Sequence, residues 1–298
     1  MVGIEHSQVR EAVTSWIVAE PSIVSAVIFG SQSRPSTAAA AADQWSDIDI
    51  HIIVRFLQDL EGLDWNKIFP NFHLCLCVSR PATGGVRKLT LVFSEGEVDL
   101  IIVTFIKAYC ARLALGLGFY PRLNSLKRPL DLFATILHGG FSFVKGEQAW
   151  GGFYLEVAKL SGFRLSDSEA SILASTALCD LLGVFKKIER GELIAAQRIL
   201  HISVIEANII LLHEIRSRHR SVSFQQARRV EIIATAREIA YISADTKLNT
   251  QELSSAAWSS LNGLKALMIQ ITPTWTVPSG FQCLLDTYRT PNIARILS

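Results

Sequence analysis

The chain has 298 residues, of which 49% are hydrophobic and 19% are charged, and its formal net charge is +2. This length accommodates two domains of ordinary size, and the composition excludes a disordered polyelectrolyte. So small a net charge does not indicate a nucleic-acid partner. Charged residues interrupt the apolar runs before they reach the roughly 20 residues of a membrane span, so we expect no membrane association.

The N-terminal residues and the cysteines bear on the compartment. Glu5, Arg10 and Glu11 lie where a signal peptide would have a basic start and an unbroken apolar stretch. Five cysteines without a CxxC pair fit neither a disulfide framework nor a zinc ribbon. We therefore expect reduced thiols and a cytoplasmic protein.

The first half of the chain has the pattern of a sheet. An amphipathic helix is predicted over residues 6–19, and it precedes five short β-rich segments. The predicted strands are Val24–Phe29, Ile48–Val54, His73–Val78, Lys88–Phe93 and Val98–Val103. The alanine-rich stretch at residues 35–44 has turn signals and no apolar period, which predicts a loop. We expect a mixed sheet with little helix between its strands.

From about residue 150 the apolar residues recur at intervals of three and four, which predicts helices. The predicted helices are Leu173–Ile188, Ile194–Leu212, Val230–Ile242 and Leu253–Ile271, with a closing helix near the end. The sequence therefore predicts an α+β protein, with an N-terminal mixed-sheet domain over residues 1–148. A C-terminal helical bundle follows over residues 149–298.

Three aspartates have the positions expected of a metal site. Asp47 and Asp49 are two residues apart at the start of a predicted strand, so their side chains share one face. Asp99 lies within an apolar strand, where an ionised carboxylate is costly unless it is paired or binds a metal. Oxygen ligands without a supporting histidine or cysteine cluster favour Mg²⁺, which is typically bound together with substrate phosphates. These residues therefore predict a magnesium and nucleotide site.

The segment after the first predicted strand has the composition of a phosphate-binding turn. Gly30 ends the strand and allows a phosphate to approach the backbone closely. Ser31 can donate a hydrogen bond to a phosphate oxygen, and Arg34 can neutralise charge on the outer phosphates. A triphosphate site beside a metal held by carboxylates is the arrangement used in nucleotidyl transfer.

Together these residues resemble the DNA polymerase beta superfamily of nucleotidyltransferases. The resemblance covers residues 24–103 and rests on Gly30-Ser31, on Asp47-Ile48-Asp49 and on Asp99. Within the superfamily, the order of elements and the long helical second half are most similar to antibiotic adenylyltransferases of the aminoglycoside 6-adenylyltransferase group, which modify streptomycin.

The resemblance implies an enzyme that moves AMP from ATP to a hydroxyl of a small acceptor, with aminoglycoside-like antibiotics favoured. It implies that Asp47 and Asp49 hold Mg²⁺, that Asp99 completes the second metal site and helps to activate the acceptor, and that Gly30, Ser31 and Arg34 bind the triphosphate. ATP and Mg²⁺ are expected in a cleft between the two domains, and the helical domain is expected to bind the acceptor.

Two functional alternatives stay open at this point. AMP could be transferred to a protein, as in nucleotidyltransferase antitoxins, or the chain could be a nucleotide-binding regulator without catalysis. Among single residues, Glu97 could act as a base or be exposed at a hairpin, and His51 could line the site or be an ordinary strand residue. Glu206 could hold an acceptor group or form a hydrogen bond between helices.

Overall fold

The computed structural model describes residues 2–34, 42–43, 45–82 and 84–289. Nearly all of the predicted loop at residues 35–44 therefore lies outside the described residues. Contacts between Cα atoms group the chain into two compact units, residues 1–164 and residues 165–298. The first unit contains the whole sheet, and the second consists of helices and their connections. The α+β class predicted from the sequence is confirmed.

One mixed sheet forms the first unit, with strand order β3-β4-β5-β2-β1-β6. The strands are β1 (Ile23–Phe29), β2 (Ile48–Val54), β3 (Leu74–Ala82), β4 (Val86–Phe93), β5 (Gly96–Thr104) and β6 (Phe141–Lys145). The central pair, β2 and β5, is parallel, and the other neighbours are antiparallel. All five predicted strands are present, and β6 is an additional edge strand that the sequence analysis missed.

Helices cover both faces of this sheet. They are α1 (Val2–Ala19), α2 (Gln58–Glu61), α3 (Trp65–Ile68), α4 (Phe105–Gly116), α5 (Asn124–Leu137) and α6 (Glu147–Ala158). On one face, the even-numbered residues of β2 and β5 join a core with α1 and residues of the α2–α3 region. On the opposite face, Ile53, Ile101 and Val103 pack with residues of α4, α5 and α6.

Helices begin earlier in the chain than the sequence pattern indicated. The helices α4 and α5 were not predicted, because Gly116, Gly118 and Pro129 interrupt the apolar period between residues 105 and 137. The compact units also divide after Arg164 rather than after residue 148. The physical reason is that α6 contributes Trp150 and Tyr154 to the core of the sheet unit. A functional division at residue 148 stays a prediction.

The second unit is built from long apolar helices. They are α7 (Asp167–Glu189), α8 (Leu193–Ile199), α9 (Glu206–Arg218), α10 (Val230–Ile233), α11 (Ala236–Ile242), α12 (Thr250–Ile271) and α13 (Ser279–Asp286). A π-helical turn over residues 200–205 joins α8 to α9. The helix α7 and the continuous segment Leu193–Arg218 are long and apolar enough to cross a membrane by length and composition alone. Both bury one face in the helical core, which accounts for their apolar composition.

The helix predicted over Val230–Ile242 is wrong in one respect, because two helices are present there. The hydroxyl of Thr235 accepts a hydrogen bond from the backbone N–H of Glu238, and the Glu238 carboxylate accepts from the N–H of Thr235. This reciprocal capping box starts a new helix at Ala236. Arg216 also donates two hydrogen bonds to Glu238, so the break is fixed by contacts within the unit.

Candidate active site

The parallel pairing of β2 with β5 brings two of the predicted carboxylates together. In this register Asp49 lies directly beside Asp99. Both side chains lie on the sheet face that packs against α4, α5 and α6, because residues of equal parity share a face. The sequence placed Asp49 and Asp99 on separate strands, and the strand register makes them neighbours.

A cluster of three acidic groups lies at this position. One carboxylate oxygen from each of Asp47, Glu97 and Asp99 lies within 4.8 Å of the other two. Burial raises the pKa of Glu97, and the charges of Asp99 and Asp47 raise it further. Like charges at this separation repel one another, and a bound cation removes that repulsion.

Gly30 packs directly against the Asp49 carboxylate. The glycine has a φ of +75°, and a Cβ atom at this position would lie 2.7 Å from Oδ2 of Asp49. A side chain is excluded here both by the backbone conformation and by the nearness of the carboxylate. The turn Gly30–Ser33 therefore starts beside Asp49, and Ser31 in the same turn is buried.

The donor set of this site fits a hard divalent cation. It consists of carboxylate oxygens, and the absence of a side chain at Gly30 lets the Asp49 carboxylate lie directly against the turn. Mg²⁺ prefers oxygen ligands and is commonly held by one or two carboxylates together with substrate phosphates. Asp47, Glu97 and Asp99 supply the clustered oxygens suited to hold it, and Asp49 lies beside Asp99 in the strand register.

Two residues that the sequence analysis did not single out hold Asp99. Thr90 on β4 donates a hydrogen bond of 2.5 Å from its hydroxyl to Oδ1 of Asp99. The Lys88 ammonium forms an ion pair with Oδ2 of the same carboxylate. Asp99 is 1% exposed, so these contacts offset the cost of burying its charge. In the sequence, Lys88 and Thr90 alternate with the apolar residues Leu89 and Leu91. This alternation indicates that Lys88 and Thr90 share the polar face of their strand.

The remaining predicted residues lie in different surroundings. The Arg34 guanidinium lies against Gly139, on the β6 side of β1, whereas Asp49 lies on the β2 side. Glu206 is exposed at the start of α9.

His51 is buried, and its Nδ1 lies 2.9 Å from the hydroxyl oxygen of Tyr154. Burial lowers the pKa of His51 to about 3, so the imidazole is neutral at physiological pH.

Among known proteins, the chain is similar to several solved structures. No family model and no curated protein matches the chain. The structure is similar to an aminoglycoside 6-adenyltransferase from Bacillus subtilis, with 10% identity, a TM-score of 0.40, and coverage of 94% of this chain and 95% of that one. It is also similar to a nucleotidyltransferase-like protein from Exiguobacterium sibiricum 255-15, with 10% identity and a TM-score of 0.33 over 90% of this chain and 77% of that one.

Proposed function

We propose that this chain is a magnesium-dependent nucleotidyltransferase that moves AMP from ATP to a hydroxyl group of a small molecule. The observation that carries the proposal is the meeting of Gly30, Asp49 and Asp99, with Asp47 and Glu97 beside them. A glycine turn that admits phosphate next to clustered carboxylates suits the transfer of a phosphoryl-linked group.

In this proposal Asp47 and Asp49 hold the metal, and Asp99 completes a second metal position. When bound, the ion neutralises the triphosphate and assists the departure of pyrophosphate. Gly30 gives the turn its left-handed backbone beside Asp49, and Ser31 donates to a phosphate oxygen. Arg34, which lies against Gly139, would turn toward the site to neutralise charge on the outer phosphates.

The proposed reaction forms one bond to phosphorus and breaks another, and a residue of the site takes the released proton. The acceptor oxygen attacks the α-phosphorus, a new O–P bond forms, and the bond from this phosphorus to the bridging oxygen of the β-phosphate breaks. Glu97 takes the hydroxyl proton, since its carboxylate lies beside those of Asp47 and Asp99. Holding the reactants in line and neutralising charge supply most of the rate.

A direct test uses Gly30→Ala with Gly62→Ala as the matched control. The added methyl at Gly30 displaces the Asp49 carboxylate, whereas a Cβ at Gly62 meets no atom within 4 Å. We expect G30A to lower AMP transfer from labelled ATP by at least about a hundredfold, the usual cost of disturbing a group that stabilises the transition state. Equal activity of G30A and G62A, or no transfer by the unsubstituted protein to any small hydroxyl compound, would overturn the proposal.

One observation favours a second candidate, a nucleotide-binding regulator without catalysis. Lys88 already neutralises Asp99, so one of the three predicted metal ligands has a cation beside it. ATP binding that depends on Asp49, without release of pyrophosphate in the presence of any acceptor, would decide for the regulator.

A further inference from the structure

A large apolar pocket lies on the same sheet face as the carboxylates. Its volume is about 510 Å³, within the roughly 300–1,000 Å³ of small-molecule sites. The sheet contributes five residues to its lining, and α4 and α5 contribute most of the rest. The five are His51, Ala82, Val86, Ile101 and Val103. All the lining residues belong to the sheet unit.

The strand geometry places this pocket next to the reacting groups. His51 follows Asp49 by two residues on β2, and Ile101 follows Asp99 by two residues on β5. Side chains two residues apart on a strand share a face and are separated by about 7 Å. The floor of the pocket therefore begins one residue pair beyond the carboxylates.

The roof of the pocket is held in place by the turn between β3 and β4. Lys107 on α4 donates a hydrogen bond of 2.7 Å from Nζ to the carbonyl oxygen of Gly85. Gly84 has a φ of +79° and packs so closely on Pro129 of α5 that an added Cβ would lie 3.0 Å from the ring. These contacts fix the turn against α4 and α5, so the pocket has walls on several sides.

The chemistry of the lining limits what can bind. Within the described part of the chain, no aspartate or glutamate lines the pocket, and the ammonium of Lys107 is bonded to a backbone carbonyl. His51 has its Nδ1 bonded to Tyr154, so Nε2 is the ring atom left to bond a ligand. Such a lining has no negative charge to pair with a polycation, which would lose its hydration without compensation. An uncharged apolar molecule has few hydrogen bonds to water to lose when it enters the pocket.

We infer that this pocket binds the body of the acceptor, and that the acceptor is an uncharged, largely apolar hydroxyl compound. Its apolar part fills the space between Ile101, Val103 and α5, a polar group bonds Nε2 of His51, and its hydroxyl lies toward Asp49 and Asp99. The inference rests on the proposed nucleotidyl transfer for the reaction, but binding is measurable without it.

The first experiment measures binding to the full chain without nucleotide or metal. Nile red, an uncharged dye that fluoresces in apolar surroundings, is titrated against the protein. Val103→Trp fills the pocket, and Ile172→Trp adds the same side chain at an exposed position of α7. We expect V103W to weaken dye binding at least tenfold and I172W to leave it unchanged. Equal binding by the two variants would overturn the pocket assignment.

A second measurement serves if V103W does not fold. Cys110 lines the pocket, and all five cysteines are free. In a variant with serine at the other four positions, we expect saturating dye to slow alkylation of Cys110 at least fivefold. In a second variant that retains only Cys179, on α7, the dye should not change the alkylation rate. Unprotected Cys110 would overturn the inference.

The last experiment identifies the occupant. Hydroxyl compounds of matched size, uncharged or carrying several amines, are tested for displacement of Nile red and for transfer of labelled AMP. We expect the uncharged compounds to displace the dye and to be labelled, and the polyamines to do neither. Displacement of the dye by AMP alone would show a nucleobase pocket and overturn the inference. Dye displacement without AMP transfer to any compound would instead contradict the proposed reaction, which separates the two failures.

Discussion

The two faces of the sheet in residues 1–164 are built from alternate residues of the same strands, yet they differ in chemistry. The face toward α1 presents Ile48, Ile50 and Ile52 of β2, all completely buried among other apolar side chains. The opposite face presents Asp49 and then His51 before it becomes apolar at Ile53. The comparison indicates that the face toward α1 stabilises the fold through apolar packing. The opposite face is less stabilising, because it holds polar groups where apolar ones could pack.

The largest expected effect concerns the acidic end of the polar face. Asp49→Asn removes a charge with little change in shape, and we expect AMP transfer to fall by a few hundredfold, about 3–4 kcal/mol of transition-state stabilisation. In the absence of Mg²⁺, the thermal unfolding midpoint should change little. Asp59→Asn, on an exposed position of α2, is the matched control. Full activity in D49N would remove the functional distinction between the faces.

The next effect concerns His51 in the middle of the polar face. Its pKa is lowered from 6.5 to about 3 in the folded protein, so below pH 6.5 the unfolded chain binds a proton that the folded chain does not. Stability from this group is complete above pH 6.5 and is lost as the pH falls toward 3. At pH 4 the loss is about 3 kcal/mol.

Urea unfolding at pH 7 and at pH 4 measures this loss. His51→Phe lacks the titrating group, so its stability relative to the unsubstituted protein should rise by about 3 kcal/mol between pH 7 and pH 4. A relative stability that does not change with pH would mean that His51 is not buried as described.

A smaller effect concerns Lys88, which lies between the acidic cluster and the apolar pocket because it is paired with Ile101 across the β4–β5 hairpin. Lys88→Met removes a positive charge beside Asp99, so we expect Mn²⁺ to bind about tenfold more tightly. Lys88→Arg keeps the charge and should bind Mn²⁺ as the unsubstituted protein does. Mn²⁺ binding can be followed by electron paramagnetic resonance. Unchanged affinity in K88M would show that the ammonium does not act on the metal ligands.

The smallest effect lies on the apolar face. Ile50→Val removes one buried methylene group, and we expect a loss of about 1 kcal/mol in the free energy of unfolding with AMP transfer unchanged. Chemical denaturation and the transfer assay, made on the same preparation, check both halves of this expectation. A loss of transfer in I50V without a loss of stability would reverse the roles assigned to the faces.

Much of the candidate site follows from strand parity and turn composition. The strand period of two predicts Asp47 and Asp49 on one face, and the composition of the turn predicts Gly30 at the end of a strand. The nearness of Asp99 to Asp49 needs the β2–β5 register. The partners of Asp99 could not be predicted in the same way. Thr90 faces Asp99 only in the observed β4–β5 register, and a slip of one residue would place Leu89 or Leu91 there instead.

The pocket was beyond sequence reasoning for a different reason. Its walls come from α4 and α5, whose apolar period is broken by glycine and proline, and from the turn at Gly84. The volume it encloses depends on how far the helices lie from the sheet. That distance is set by packing in three dimensions rather than by any local pattern.

The parallel pair at the centre of the sheet also has a thermodynamic consequence. Asp49 and Asp99 are far apart in the chain and become neighbours only when β2 and β5 are paired. A cation that needs both carboxylates binds the folded sheet and not the unfolded chain, so every increment of its binding free energy adds to the stability of that fold. If the proposed Mg²⁺ binds there, it would stabilise the fold of residues 1–164 as well as assist the reaction, and the free energy of unfolding would rise with the concentration of free Mg²⁺.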